Sequence, residues 1–141
     1  MLSLKSTIVF TILACGFAAA DLKADQKKYC TFSCGIYSDE DLTEGGCTTI
    51  TNRDKDGTAI QWTMKEAFRT DNHAKYFNCL GTDAAFSSCC KPGSIKIPPG
   101  TKGKPPPVMT LNGPKSYSGI CKDASPTSSE EGDPEDCLYN P

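Results

Sequence analysis

The chain has 141 residues, with 15 basic residues, 17 acidic residues and one histidine, for a net charge of −2 at neutral pH. This balance excludes the strongly basic surface that is typical of nucleic-acid-binding domains, so we expect no nucleic-acid partner. The length fits about one domain.

Residues 1–20 have the pattern of a secretory signal peptide. A single positive charge at Lys5 precedes an apolar run over 7–17, and small residues, Ala18 to Ala20, end it. The run is shorter than the roughly 20 apolar residues that span a bilayer, and no second one follows, so we expect no membrane span. We predict cleavage near Ala20 and one secreted cysteine-rich domain over 21–141. Without Lys5, 14 basic residues face 17 acidic ones, a net charge of −3.

Cysteine is the most informative residue of this domain. Cys15 leaves with the signal peptide and eight cysteines remain: Cys30, Cys34, Cys47, Cys79, Cys89, Cys90, Cys121 and Cys137. An even number in a secreted chain predicts four disulfides, and eight cysteines allow 105 pairings among which the sequence does not choose. The spacings do not fit a zinc site, so we expect no metal and no cofactor. The adjacent Cys89 and Cys90 would point to opposite faces of an extended chain.

The first half of the domain is predicted to be mainly β. A polar leader over 21–29 precedes a short strand around 30–34. Two β-rich runs, 47–53 and 58–64, flank the polar turn "DKDG" and predict a β-hairpin. Its tip carries four exposed charged residues: Arg53, Asp54, Lys55 and Asp56.

Helical signals follow the hairpin. Thr63 and Glu66 have the spacing of a capping box and predict a helix around 65–74. A strand is expected over 75–80, and a helical turn capped by Thr82 or Asp83 after it. Together these elements predict an α+β fold: a small disulfide-stapled domain with an antiparallel β-sheet and one or two short helices.

The second half has an uneven charge distribution. The segment 91–107, a Pro/Lys-rich loop, holds six of the ten prolines, and no acidic residue lies between Ala84 and Lys122. An acidic tail over 123–136 has no basic residue. The lysines therefore either meet an anionic partner or are neutralised by the tail. Between loop and tail, "VMTLNGPKSYSGIC" predicts a second hairpin or strand pair around 112–113.

No catalytic motif is present, and we expect no enzymatic activity. The strongest enzymatic alternative is a small secreted ribonuclease, which needs a base, an acid and a phosphate-binding cation. The available side chains are Glu44 or Glu66, His73, and Arg53 or Arg69.

The signal peptide, the eight cysteines with one doublet and the stretch "YFNCLGTDAAFSSCCK" resemble the small secreted cysteine-rich effectors of plant-pathogenic fungi. Hydrophobins have two cysteine doublets and the CFEM haem-binding family a different spacing, so neither fits. Length and cysteine count are similar to the Leptosphaeria avirulence group, which implies an antiparallel sheet backed by helices. The chain departs from that group in lacking its Trp-Arg-aromatic motif, because Trp62 is followed by "TMK".

The resemblance implies a virulence effector that acts as a monomer on a host plant protein. A plant resistance protein would recognise it and trigger hypersensitive cell death, in the apoplast or after entry into host cells. The first contact candidates are Arg53, Lys55 and Asp56, and the second are Lys102 and Lys104. The alternatives are a secreted toxin or antimicrobial protein and a protease inhibitor.

Overall fold

A computed structural model describes residues 21–36 and 41–124, which form a mostly antiparallel β-structure with one short helix. Helix α1 covers residues 21–28. The strands are β1 Phe32–Ser33, β2 Glu44–Arg53, β3 Ala59–Glu66, β4 Phe68–Thr70, β5 His73–Asn78, β6 Phe86–Cys90, β7 Met109–Asn112 and β8 Cys121–Asp123. The predicted signal peptide, the acidic tail from 125 onward and Cys137 lie outside the described residues. The expected small disulfide-stabilised domain with antiparallel β-structure and a short helix is confirmed, but the fold is mainly β rather than α+β.

The strands form two antiparallel sheets. A five-stranded sheet has the order β7-β3-β2-β6-β8, and a three-stranded sheet has the order β1-β5-β4. The β2–β3 hairpin was predicted from sequence and is confirmed, with Cys47 opposite Lys65 and Ile50 opposite Trp62. Only Ala67 separates β3 from β4, so the chain passes directly from the larger sheet to the smaller one.

The helix predicted around 65–74 is wrong. Glu66 ends β3 opposite Gly46, and β4 and β5 then form a second hairpin. Asn72 makes the turn of this hairpin with φ 67°, a conformation that ends a right-handed helix. Pairing with neighbouring strands outweighs the capping-box spacing, because helix propensity is a weak preference that tertiary contacts override.

Three further local predictions need correction. Asp83 has φ 57° and Thr82 caps a tight turn back to the Cys79 carbonyl, so the expected helical turn is absent from the described residues 79–90. The second hairpin predicted around 112–113 is absent from the described residues 108–124, because β7 pairs with β3 and β8 pairs with β6, at opposite edges of the sheet.

The segment 21–29, expected to be a polar leader, is instead mostly helical and packed on the β5–β6 turn. The Gln26 side-chain amide donates to the Leu80 carbonyl at 2.8 Å, and the Asn78 amide donates to the Gln26 and Tyr29 carbonyls. Asn78 is fully buried, so these bonds satisfy a polar group that would otherwise be costly to bury.

The hydrophobic core is divided between two clusters. The first contains Phe32, Cys34, Leu42, Cys47, Ala67, Phe77 and Cys89. The second contains Trp62, Met64, Cys90, Met109, Tyr117 and Cys121. The cysteine doublet lies on β6 and contributes one residue to each cluster, as expected for adjacent residues of a strand.

Disulfides tie both clusters to β6. Cys34–Cys89 joins the segment after β1 to β6, and Cys90–Cys121 joins β6 to β8. A third disulfide, Cys47–Cys79, links β2 to the end of β5. Cys30 is disulfide-bonded as well.

A chain of buried hydroxyl groups crosses the second cluster. Thr48 and Ser88 are hydrogen-bonded at 2.8 Å, Ser88 and Tyr117 at 2.7 Å, and the Tyr117 phenol donates to Asp123 at 2.7 Å. The Tyr117 ring stacks on Trp62 at 5.6 Å. Burial raises the pKa of Tyr117 above its ordinary value of 10.0.

We expect Tyr117→Phe to lower the free energy of unfolding by about 1–2 kcal/mol, since it removes two hydrogen bonds and keeps the ring. Tyr29→Phe is the control, because the Tyr29 hydroxyl has no side-chain hydrogen bond within the described residues.

Folding disfavours the Tyr117 phenolate, so wild type should lose stability as the pH rises beyond about 10, and Tyr117→Phe should lose less. Urea denaturation at several pH values measures both effects, and equal stability of Tyr117→Phe and wild type would contradict them.

Candidate interaction surface

The tip of the β2–β3 hairpin is a turn built by Asp54. The Asp54 carboxylate accepts hydrogen bonds from the backbone N–H groups of Asp56 at 2.9 Å and Thr58 at 2.8 Å. Two backbone bonds close the turn, from Asp54 N–H to the Thr58 carbonyl and from Gly57 N–H to the Asp54 carbonyl. Gly57 has φ 82°, which favours glycine at this position. The turn is therefore fixed by its own sequence.

The charged side chains of the tip have different roles. The Arg53 guanidinium donates to the Gly57 carbonyl at 2.8 Å, so Arg53 supports the turn as well as being exposed. The Lys55 and Asp56 side chains are exposed, and neither makes a hydrogen bond or ion pair within the described part of the chain. Of the predicted contact residues at the tip, Lys55 and Asp56 are thus the ones that the turn does not use.

The Pro/Lys-rich loop is anchored at its root by Glu44. The Glu44 carboxylate accepts hydrogen bonds from the backbone N–H groups of Ser94 at 3.1 Å and Ile95 at 3.2 Å. Ile95 and Ile97 are half-buried and pack against the second core cluster. Lys91 donates to the Gly119 carbonyl at 2.9 Å, which fixes the start of the loop to the segment before β8. Glu44, considered above as a catalytic base, therefore has a structural role here.

The far part of this loop is a turn between two proline-rich arms. Lys104 N–H donates to the Thr101 carbonyl at 3.1 Å, and Gly103 has φ 81°. A Cβ atom on Gly100 would lie 3.5 Å from the Pro107 ring, so the two arms run side by side. Lys102 and Lys104 are both exposed on this turn.

The Pro/Lys-rich loop leaves the sheet at the end of β2 opposite the hairpin tip. The root of the loop follows Cys90, which pairs with Glu44 at the first residue of β2. The hairpin tip follows Arg53 at the last residue of β2, and nine strand steps separate the two positions by about 30 Å. Within the described residues, no hydrogen bond or ion pair joins Lys102 or Lys104 to the hairpin tip.

The side chains considered for a ribonuclease are brought together only in part. An open cleft of about 360 Å³ at the β4–β5 turn is lined by residues 69–74 and brings Arg69 and His73 together. Arg69 lies over the Phe77 ring at 5.6 Å. His73 pairs with Thr70, the last residue of β4, whereas Glu66 lies before the first residue of that strand. Four steps of extended chain separate Glu66 from Thr70 by roughly 13 Å, which is too far for Glu66 and His73 to act as one hydrogen-bonded acid–base pair.

The sequence pattern identified the exposed charges of the hairpin tip. It did not identify Asp54 and Glu44, whose hydrogen bonds fix the hairpin tip and the root of the Pro/Lys-rich loop. An Asp at the start of a four-residue polar turn often accepts a hydrogen bond from the backbone N–H two residues later. This local signal could have revealed the role of Asp54. The bonds of Glu44 reach residues 50 and 51 positions away, and no local signal indicates them.

Within residues 21–36 and 41–124, no three His, Cys, Asp or Glu side chains lie together so that they could hold a metal ion. In the same residues, no helix has the length and apolar character needed to cross a membrane. Comparison with protein-family models, with curated proteins and with solved structures found no match.

Proposed function

We propose that this protein is a secreted virulence effector that binds a host plant protein through the tip of the β2–β3 hairpin. A plant resistance protein recognises the same protein and triggers hypersensitive cell death. The observation that carries the proposal is the turn at 53–58: Lys55 and Asp56 are exposed and take no part in holding it, whereas Asp54 and Arg53 fix its shape. Because the backbone of the turn is already fixed, presenting these side chains to a partner costs less conformational entropy.

The disulfides support action outside the cell that makes the protein. Several disulfides in a small domain are consistent with an extracellular protein, because such bonds form and persist in oxidising compartments. They also suppress the local opening that proteases need, which suits a protein acting in the apoplast. The proposed effector acts as a monomer and presents its contact residues on loops of a rigid sheet.

Exchanging the charges of the tip tests this contact. We expect the double variant Lys55→Glu and Asp56→Lys to raise the concentration needed for cell death, in a responding plant genotype, by about tenfold or more. The two changes leave the net charge unaltered and remove no side-chain bond of the turn, so the stability should match wild type. Leaf infiltration of a dilution series measures the threshold.

The matched control makes the same kind of exchange on α1, with Asp21→Lys and Lys23→Glu, where both side chains are exposed. This control should keep the wild-type threshold. If the tip variant is folded and as active as the control, the hairpin tip is not the recognised surface.

A further inference from the structure

We propose that the turn of the Pro/Lys-rich loop binds a polysaccharide that carries carboxylate groups, through residues other than those of the hairpin tip. This binding is a second activity and does not depend on recognition by a plant receptor.

The geometry of the loop presents two lysines from a preformed turn. Thr101 to Lys104 is closed by a backbone hydrogen bond of 3.1 Å, with Gly103 at φ 81° supplying the conformation that the third position of the turn requires. A proline pair before the turn and a proline triplet after it restrict the backbone, and Gly100 lies close to the Pro107 ring. The ligand therefore meets a tip that loses little conformational freedom on binding.

The charge of this loop is positive, and its exposed lysines make no ion pair within the described residues. Lys96, Lys102 and Lys104 are exposed, and their ammonium groups have no acceptor within residues 21–36 and 41–124. No Asp or Glu occurs between Ala84 and Lys122 in the sequence. An ammonium group is a compact point charge without the planar fork of arginine, so it suits spaced carboxylates better than bidentate recognition of phosphate.

The surroundings of the lysines disfavour other anionic ligands. Prolines 98, 99 and 105–107 have no backbone N–H, so the loop cannot add a peptide as a new strand. The segment 98–107 has no aromatic or large apolar residue to stack on a base or to enter a lipid surface. Leu22, on α1, is the one exposed large hydrophobic side chain among the described residues.

A linear polyuronate matches these properties. It carries one carboxylate on each sugar, and the same lysine pair can bind it in many overlapping registers. These equivalent registers raise the observed affinity above that for a single pair of carboxylates. Attraction between exposed charges is screened by salt, so the binding should weaken steeply as the ionic strength rises.

The test measures binding of the oxidised mature protein to immobilised, fully de-esterified polygalacturonate at low and at physiological salt. The fully methyl-esterified polymer has the same backbone without the charges. We expect binding to the de-esterified polymer, loss of most of it at high salt, and at least about tenfold weaker binding to the methyl ester. We expect Lys102→Glu with Lys104→Glu to weaken binding about tenfold or more, and K102Q/K104Q to weaken it less.

The control variant Lys23→Glu with Lys28→Glu has the same change in net charge on α1 and should bind like wild type. Equal losses in the control and loop variants would overturn the proposal, because the effect would then follow net charge alone. Absence of wild-type binding, or equal binding to the methyl ester, would overturn it too. Tighter binding to double-stranded DNA or to phosphatidylserine vesicles than to polygalacturonate would contradict the assignment to a polysaccharide. Because the assay contains no plant receptor, its failure leaves the hairpin-tip proposal unaffected.

Discussion

Removing the Cys34–Cys89 disulfide with the double variant Cys34→Ala and Cys89→Ala is expected to lower the free energy of unfolding by about 4 kcal/mol. The bond closes a loop with a sequence separation of 55 residues, and chain-entropy arguments give roughly this value for a loop of such length. Both residues are buried in the first core cluster. A domain of this size has only about 5–15 kcal/mol of net stability, so the variant should be close to its unfolding midpoint at modest urea concentrations.

The structural reason for choosing this bond is its position between the sheets. Cys34 follows β1 of the three-stranded sheet, and Cys89 lies on β6 of the five-stranded sheet. The Cys90→Ala and Cys121→Ala variant is the comparison, because that bond joins strands already paired in one ladder. Urea denaturation of both variants, with hydrogen exchange at β1 and β5, measures the effect. A loss below about 1 kcal/mol for the Cys34 and Cys89 variant, or intact protection of β1, would show that the bond does not hold the sheets together.

Gly45→Ala is expected to lower the free energy of unfolding by about 3 kcal/mol. A Cβ atom at Gly45 would lie 2.6 Å from two atoms of the Phe77 ring and 3.1 Å from the Ala67 Cβ. Phe77 is buried and packs on Phe32 at a ring distance of 5.7 Å, so the ring has little room to move. The added methyl group must therefore displace the core between the two sheets.

Gly100→Ala is the matched control for this substitution. A Cβ atom there meets only Pro107, at an ordinary van der Waals distance of 3.5 Å. Both changes restrict the unfolded chain to the same extent, so the difference between the two variants isolates the effect of the clash. Equal stability of Gly45→Ala and Gly100→Ala, measured by urea denaturation, would contradict the close packing of β2 against Phe77.

The hairpin over β2 and β3 was predictable because its signals are local. The alternation of Trp62 and Met64 with polar neighbours and the turn before Gly57 both agree with the observed pairing. Local signals also predicted a helix around 65–74, and this prediction is wrong. Thr63 and Glu66 have the spacing of a capping box, but both residues belong to strand β3. In that segment the pairing of Glu66 with β2 and the pairing of β4 with β5 decide the conformation.

Long-range contacts also explain what was missed elsewhere. Helix α1 is polar and has no apolar pattern of its own. Hydrogen bonds from the Gln26 amide to the Leu80 carbonyl and from the Asn78 amide to the Gln26 carbonyl hold it in place. The residues after Met109 look like a hairpin in sequence, yet β7 and β8 pair with β3 and β6 at opposite edges. The exposed charges of the candidate surfaces were predictable from composition, whereas the anchoring role of Glu44 and the approach of Gly100 to Pro107 depend on tertiary contacts.

Infiltration of the oxidised mature protein into leaves of a panel of plant genotypes, beside a reduced and alkylated sample, tests the proposed effector function most directly. Expression inside the plant cells runs in parallel, to separate recognition inside the cell from recognition outside it. We predict cell death confined to certain genotypes and lost when the disulfides are reduced, because recognition needs the folded surface. Cell death in every genotype would contradict the proposal and indicate a general toxin, and absence of cell death in all genotypes by both routes would contradict recognition by a resistance protein.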